Sequence, residues 1–429
     1  MEMDEKMFNI LKKNKFRNNI EIRPVKIYKE ENLFYLKSSD KQNYVKHRLN
    51  QMKESFKEVL NITEFHSINH QSHISFYTIG MVLIHTSTKL TNDSLYVVSN
   101  IDDSNDVLVK LNVKYLKKYS FFPGQIIVIF GKNPNGNEII AEEIHCIPTI
   151  SYSSAVEDEE NLYSKNYENG PISVCCFSGP FWNESTKFES LDLILEKIYD
   201  VLILFGPFVD SKMTAKYESS PQEIFTDEIL VRIEKYVRKG MNLKVILIPH
   251  PEDVFTVGIF PHSFTFLNDK KFDDRILMFS NPSLFYVNEF LFGLSTSDIL
   301  LSLSSEELFC NQENEKADKC SDMLFCNDRI SRICHHLIYQ KSFVPVFPSK
   351  SPICYEKHNY LDMDVSPDFL IQCSKLITFE KQIGPTVVCN IGSQSTPDNK
   401  HYIEISLKSA KESNGKRYDI SFLNLKNKS

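Results

Sequence analysis

Leu202-Ile-Leu-Phe-Gly-Pro-Phe-Val-Asp-Ser-Lys212 decides how this chain is read. With Val201 it opens on an unbroken apolar run, as expected of a strand covered on both faces. It then turns at a Gly-Pro pair and delivers Asp210 just past the strand. In open α/β sheets the working residues stand beyond such strand ends. Upstream, Ile172-Ser-Val-Cys-Cys-Phe177 is a second buried strand, ending in Ser178-Gly179-Pro180-Phe181. Between the two, Leu191, Ile194, Leu195 and Ile198 fall on one face of a helix. Downstream, Phe225, Ile229, Ile233 and Val237 mark a helix over 222–238, with Gly240 placed to cap it. A third strand, Leu243 to Ile248, ends in Pro249-His250-Pro251-Glu252-Asp253. Strand and helix alternate, which predicts an α/β domain.

The pattern continues outward. A fourth strand is expected at 276–279 and a hairpin through Val287-Asn-Glu289 into Phe290–Leu294. Helices are expected at about 297–307 and 328–340, with a polar surface loop over 309–327. Late strands at 368–373, 386–390, 401–407 and 418–424 complete a mixed sheet. Toward the N-terminus the periodicity shortens to that of strands: 76–85, 94–98, 106–113, 125–130 and 138–147. A helix-like piece, Tyr115 to Tyr119, stands between the third and fourth. Asn133-Pro-Asn-Gly136 supplies an Asn-Gly turn. Five short strands with a helical piece in that place match an OB barrel. Its aromatics Tyr96 and Phe130 are read as core. Ahead of the barrel, Tyr44, His47, Arg48, Met52, Phe56 and Leu60 recur at helical spacing within about 39–60. Residues 1–32 are a Lys-, Asn- and Glu-rich mobile lead-in.

The fold class is therefore mixed α+β and α/β. The division is a polar segment with one helix and a linker over 1–74, the OB barrel over 75–150, an acidic linker over 151–170 around Glu157-Asp-Glu-Glu160, and an α/β domain over 171–429.

Composition limits the functions. Lysine and arginine number 49 against 56 acidic residues, a formal charge of −7. Nucleic-acid affinity comes mainly from neutralised phosphates, so an acidic chain is a poor stand-alone DNA binder. The ten cysteines are scattered without a Cys-x-x-Cys pair, which favours reduced, buried thiols over a zinc module. Cys326 and Cys334-His335-His336 are too concentrated on one helix to complete a metal shell; one histidine is expected packed and the other solvated. The N-terminus is polar and no apolar stretch reaches the length of a membrane span, so a soluble, intracellular chain is expected, without membrane contact.

The strand ends carry the question of chemistry. Gly206-Pro207-Phe208-Val209-Asp210 has the spacing of the metallophosphoesterase motif Gly-Asp-x-x-Asp, whose enzymes use carboxylates and imidazoles to hold two metal ions. The first strand lacks the Asp-x-His ending, Pro207 replaces the bridging carboxylate, Gly-Asn-His is absent after the third strand, and there is no Gly-His-x-His. What remains is a vestigial pocket of Ser178, Gly179, Pro180, Gly206, Pro207, Asp210, His250 and Asn281. No catalytic residue, metal ligand or cofactor is assigned. Asp192, Asp210 and Asp298 are read as caps or surface charges. A rearranged phosphoesterase using Asp210, His250 and Asn281 is the alternative enzyme reading.

An OB barrel followed by a phosphoesterase fold stripped of its ligands resembles the B subunits of replicative DNA polymerases, and several stretches look like the alpha-polymerase branch. They are Phe122-Pro-Gly-Gln-Ile-Ile-Val-Ile-Phe-Gly-Lys-Asn-Pro-Asn-Gly136, Leu202 to Lys212, Phe292-Gly-Leu-Ser-Thr-Ser-Asp298, and Arg329-Ile-Ser-Arg332 with Gln340-Lys-Ser-Phe-Val-Pro345. The resemblance covers about residues 35–425. It implies a non-catalytic nuclear subunit that docks on the C-terminal domain of the DNA polymerase alpha catalytic subunit and links it to the small and large primase subunits. DNA contact would be weak or indirect. The B subunit of another replicative polymerase is the nearest variant. The family carries an N-terminal helical domain on a long linker, and little room for one precedes the barrel. Pro249-His250-Pro251-Glu252-Asp253 stands where the family tends to Pro-Ser-x-Arg-Asp, and Cys389-Asn390-Ile391-Gly392 keeps a trace of an Asn-Pro-Gly pattern.

Overall fold

The computed structural model describes residues 20–28, 37, 39–85, 89–99, 107–152, 163, 167, 170–240, 242–264, 272–312, 323–392, 400–409 and 416–425. In chain order the elements begin with β1 (Ile22–Pro24), α1 (Ser39–Leu60), β2 (Ser72–Ile84), β3 (Leu95–Val98), β4 (Val109–Asn112), β5 (Lys118–Phe121), β6 (Ile126–Asn133) and β7 (Glu138–His145). Next come β8 (Ile172–Ser178), α2 (Glu189–Glu196), β9 (Val201–Phe205), α3 (Ser211–Thr214), α4 (221–237), β10 (Lys244–Ile248), β11 (Ile276–Met278), β12 (Ser283–Val287) and β13 (Phe290–Ser295). The remainder is α5 (Ile299–Glu306), β14 (Leu308–Asn311), α6 (Arg329–Tyr339), β15 (Phe369–Gln372), β16 (Phe379–Ile383), β17 (Thr386–Asn390), β18 (His401–Leu407) and β19 (Tyr418–Asn424). The middle of α4, Phe225–Leu230, is wound as π-helix.

The chain forms two compact units: Met1–Glu31 with Ser153–Asp298 and Pro367–Ser429, and Asn32–Tyr152 with Ile299–Ser366. This departs from the division expected at residue 171. Residues 299–366 belong with the barrel because β14 pairs antiparallel with β5, Leu308 opposite Phe121, and because Gln340 meets β6. The Gln340 side chain accepts from Ile126 N at 2.8 Å and donates to Ile126 O at 3.0 Å, pairing with that residue's backbone as a neighbouring strand would.

In the barrel unit, β2-β3-β4-β7-β6 close on themselves. Alternation along each strand sends Val82, Leu95, Val97, Val109, Leu111, Ile127, Ile129, Ile139 and Ala141 inward. The same alternation turns Tyr96 and Phe130 outward, where both are half-buried, against the core role expected of them. Their rings lie against His85 at 4.9 Å and Tyr77 at 4.7 Å. The helix-like piece at 115–119 is a turn running into β5, and the surface loop at 309–327 begins with β14, its partner. Helix α1 occupies the expected span and buries Tyr44, Arg48, Leu49, Met52 and Phe56. Arg48 NH2 donates to Gln340 O at 2.5 Å.

Behind β5 lies a buried ionic cluster. Arg332 on α6 holds Glu307 with two bonds, Nε to Oε1 at 2.7 Å and NH2 to Oε2 at 2.9 Å. Ser120 donates to Glu307 Oε1 at 2.8 Å and stands 2.7 Å from His336 Nε2. Both His335 and His336 are buried, correcting the expectation that one is solvated. Burial pushes His336 down to about 3, so the ring is neutral. A carboxylate with a bidentate guanidinium and a hydroxyl satisfies its charge without water, which is what permits it to be buried at all.

The other unit is an α/β domain with two sheets, where the strand pattern predicted a mixed sheet. One layer runs β11-β10-β9-β8-β18-β19 and the other β1-β12-β13-β15-β17-β16. Strands β8, β9, β10 and β11 are mutually parallel, whereas β18 joins β8 antiparallel, so the sheet is mixed. Val174, Cys176, Ile203, Phe205, Ile246 and Ile248 of the first layer meet Phe285, Phe292, Phe369, Ile371 and Val387 of the second. The outer face of the first layer, with Cys175, Phe177, Leu202 and Leu204, is covered by Leu191, Ile194, Phe225, Ile229 and Ile233 of α2 and α4. Ile22–Pro24, read as part of the mobile lead-in, is instead an edge strand antiparallel to β12. The nine described cysteines are all free thiols. The acidic run Glu157–Glu160 and residues 1–19 lie outside the described residues.

Candidate functional site

Strands β8, β9 and β10 lie side by side and in parallel, so their C-terminal loops meet at one end of the sheet. Each loop hooks onto its neighbour: Gly179 N donates to Phe205 O at 2.8 Å and Gly206 N to Ile248 O at 2.9 Å. The peptides Gly179–Pro180, Gly206–Pro207 and Asn281–Pro282 are all cis. Ser178 stands opposite Phe205 in register, Gly179 meets Pro207, and Gly206 meets His250.

The first two loops approach through backbone alone. A Cβ at Gly179 would stand 2.2 Å from Pro207 O. The third loop fills what lies behind Gly206 with Asp253, a residue the sequence reading quoted but did not place in the pocket. Asp253 is buried, its Oδ1 accepting from Phe208 N at 2.5 Å and Val209 N at 3.0 Å, its Oδ2 from His250 N at 2.9 Å. Burial pushes the carboxyl up to about 7, against the pull of those three backbone N–H groups. The acid thus replaces a strand-end turn's missing partners. The only sequence signal for it is an Asp three residues after His250, the spacing at which a side chain reaches back to an N–H.

The remaining polar residues are similarly committed. Asp210 caps α3, accepting from Met213 N at 2.8 Å. Asp192 pairs with Arg232 at 3.2 Å, and Asp298 accepts from Ser374 Oγ at 2.5 Å. His250 Nδ1 accepts from Glu252 N at 3.0 Å, which puts the proton of the neutral ring on Nε2. Asn281 is fully buried; its Oδ1 accepts from Thr296 N at 3.0 Å and Ser295 Oγ at 3.3 Å, and its Nδ2 lies 3.2 Å from His262 Nδ1. Thr296 in turn donates to Pro249 O at 2.8 Å, tying Asn281 to the end of β10. Loss of water around the rings pushes His250 and His262 each down to about 4. His262 and Thr296 carry no motif that sequence reasoning could have read. On the far side, Lys400 holds Pro180 O at 2.5 Å and Ser190 Oγ at 2.8 Å, and burial pushes it down to about 8.

A two-metal phosphoesterase centre needs carboxylate and imidazole atoms converging on ions about 3.5–4 Å apart. The residues here do not fit it. Pro207 offers no donor atom, the first two loops are in backbone contact, and both carboxylate oxygens of Asp253, Oδ1 of Asp210 and Oδ1 of Asn281 already accept hydrogen bonds from the protein. Among the described residues no group of three or more His, Cys, Asp or Glu is arranged to hold a metal ion.

The class these features define is a double-sheet α/β domain with ligand-poor strand ends, carried on one chain with an OB barrel. Residues 174–381 match the sequence model for the B subunit of DNA polymerases alpha and epsilon, and residues 42–147 match the one for the OB domain of the DNA polymerase alpha B subunit. The chain belongs to the B-subunit family of DNA polymerases alpha and epsilon. It is 29% identical over 356 residues to the DNA polymerase alpha B subunit of Schizosaccharomyces pombe, covering 73% of this chain and 56% of that one. The Rattus norvegicus counterpart is 27% identical over 328 residues, 73% and 51% of the two chains, and that of Saccharomyces cerevisiae 24% over 403, 81% and 56%. The chain therefore spans about half the length of the curated relatives it matches. A solved Vps29 from Cryptosporidium parvum aligns over 59% of this chain and 98% of its own at 10% identity with a TM-score of 0.26, a likeness too slight to bear on the fold.

Proposed function

We propose that this chain is a non-catalytic scaffold of DNA polymerase alpha–primase, holding the C-terminal domain of the catalytic subunit and, through it, the small and large primase subunits. The relatives, all named as B subunits of DNA polymerase alpha, support the assignment to that polymerase. The observation that carries the non-catalytic part is the strand-end pocket, where Asp253 is spent on Phe208 N, Val209 N and His250 N rather than presented to a ligand. A site whose acids cap its own loops supplies neither a nucleophile nor a Lewis acid; it supplies rigidity. The activity of such a chain is to position other chains, and the nucleus is where those partners work. No cofactor enters this reading.

The test is reconstitution. The full chain and the purified C-terminal domain of the alpha catalytic subunit, mixed at micromolar concentration, are expected to elute as one species with the summed mass of one copy each. Separate elution at about ten micromolar, above the range of specific assemblies, defeats the proposal.

A further inference from the structure

The charge of −7 is not spread evenly over the chain. The stretch Lys110-Leu-Asn-Val-Lys-Tyr-Leu-Lys-Lys118 holds four lysines and no acid. It forms the end of β4, the turn after it and the start of β5, all in the barrel unit. Lys114 and Lys117 are exposed, and neither makes an ion pair with the described residues. Between them Tyr115 is 68% exposed, a large ring held in water where burial would have been favourable. On the adjoining outer surface Lys110 stands opposite Tyr96 in register, with the His85 ring 4.9 Å from the Tyr96 ring. Lys118 lies with its ammonium 5.7 Å from the centre of the Phe325 ring. The turn is anchored by Tyr119 OH, which donates to Asn92 Oδ1 at 2.9 Å.

We infer that this lysine-flanked aromatic strip is a binding site for single-stranded nucleic acid. Three features select that partner. Lysines at intervals along an extended strip neutralise successive phosphates, which no neutral partner would repay. The exposed Tyr115 ring, with the half-buried Tyr96 on the adjoining surface, offers faces on which unpaired bases stack, an arrangement an acidic peptide would not use. Among the described residues the opposing charges are few: Glu138 lies 4.0 Å from Lys110 and Asp93 is exposed in the anchoring turn, whereas Glu142 and Glu143 sit on β7, where Lys132 and His145 face them. The site is short, so its affinity is that of a guide rather than of a stand-alone DNA binder. It stands whether or not the docking reading above holds, because it concerns the chain alone.

The experiment is fluorescence anisotropy of a labelled mixed-sequence 20-nucleotide DNA with the full chain at several salt concentrations. Binding is expected at about 1–100 micromolar near physiological salt, the range of non-specific contacts. Lys114→Glu with Lys117→Glu should weaken it at least tenfold and reduce the salt slope by about 1.4, two contacts at about 0.7 each. Tyr115→Ala should weaken single-strand binding about fivefold or more and leave duplex binding unchanged. All three positions are exposed, so circular dichroism and melting should match the parent. No binding at 100 micromolar, equal binding by the double variant, or loss through the lysines with Tyr115→Ala silent and displacement by polyglutamate would each overturn the inference.

Discussion

Gly206 lies directly against Asp253: a Cβ at position 206 would stand 2.4 Å from Asp253 Oδ2 and 2.9 Å from His250 Cβ. Asp253 cannot swing aside without abandoning three backbone donors. Gly206→Ala is therefore expected to cost about 1–3 kcal/mol, the usual range for a forced extra methyl in a packed site. Urea unfolding reads it directly; an unchanged midpoint would mean the loop relaxes freely and the pocket is loose.

The same loops set opposite pH dependences. Asp253 is pushed up to about 7 from a usual 3.8, so between those values the folded chain binds more protons than the unfolded one and this group's contribution to stability falls as pH rises. His250 and His262 are pushed down to about 4 from 6.5, so between those values the unfolded chain binds more protons and their contribution grows as pH rises. The two trends oppose one another from about pH 4 to 6.5. Asp253→Asn, less stable overall, should show stability rising with pH more steeply than the parent across that interval. Parallel profiles in denaturant melts at stepped pH would contradict this account.

Glu307 and Arg332 should behave as a unit. Removing either leaves a buried charge without its bidentate partner, and each of Glu307→Ala and Arg332→Ala is expected to cost about 3–5 kcal/mol. The double variant should cost well under the sum, because the second change removes an already orphaned group. Additive losses would show that the bidentate contact is not maintained in solution.

Gln340→Leu should cost about 2–4 kcal/mol, since it keeps the volume of the side chain but orphans both Ile126 N and Ile126 O inside the barrel unit. Hydrogen exchange should locate the loss: protection of the Ile126 amide is expected to fall relative to Ile129, whose bonding lies within the barrel. Uniform loss would point to global weakening instead.

Manganese or zinc at millimolar concentration should move the melting temperature by less than about one degree. A genuine centre with micromolar affinity would add about 4 kcal/mol at a thousandfold excess and raise melting by several degrees. A metal-dependent rise abolished by Asp210→Ala would restore the hydrolase reading. Absent that, Asp210→Ala should cost only the α3 cap, about 1 kcal/mol.

The strands and helices carried by strong periodicity were legible: α1, β8, β9, β10 and β18 fall where the apolar spacing put them. What the sequence hid was pairing at a distance. Tyr115, Leu116 and Tyr119 look helical in isolation, and only β14, far along the chain, makes Lys118–Phe121 a strand. Ile22–Pro24 and Phe379–Ile383 are edge strands too short or too polar to announce themselves. At the pocket, the missing metal ligands could be read from Pro207 and the strand ends. Asp253 could not, because its role depends on which backbone N–H groups the three loops bring within reach.

The barrel unit is made from two stretches of chain separated by most of a sheet. Strands β2 to β7 leave the ribosome well before Glu307, Arg332 and Gln340 exist to receive Ser120 and Ile126. At about 5–20 residues per second, the interval is on the order of ten to forty seconds. During it β5 has an unpaired edge, and the Ser120 hydroxyl and the Ile126 backbone lack their partners. The nascent chain is thus more exposed to chaperones and to misassociation than the finished protein, and a gene fragment that stops at the end of β7 would encode a barrel frozen in that unfinished state.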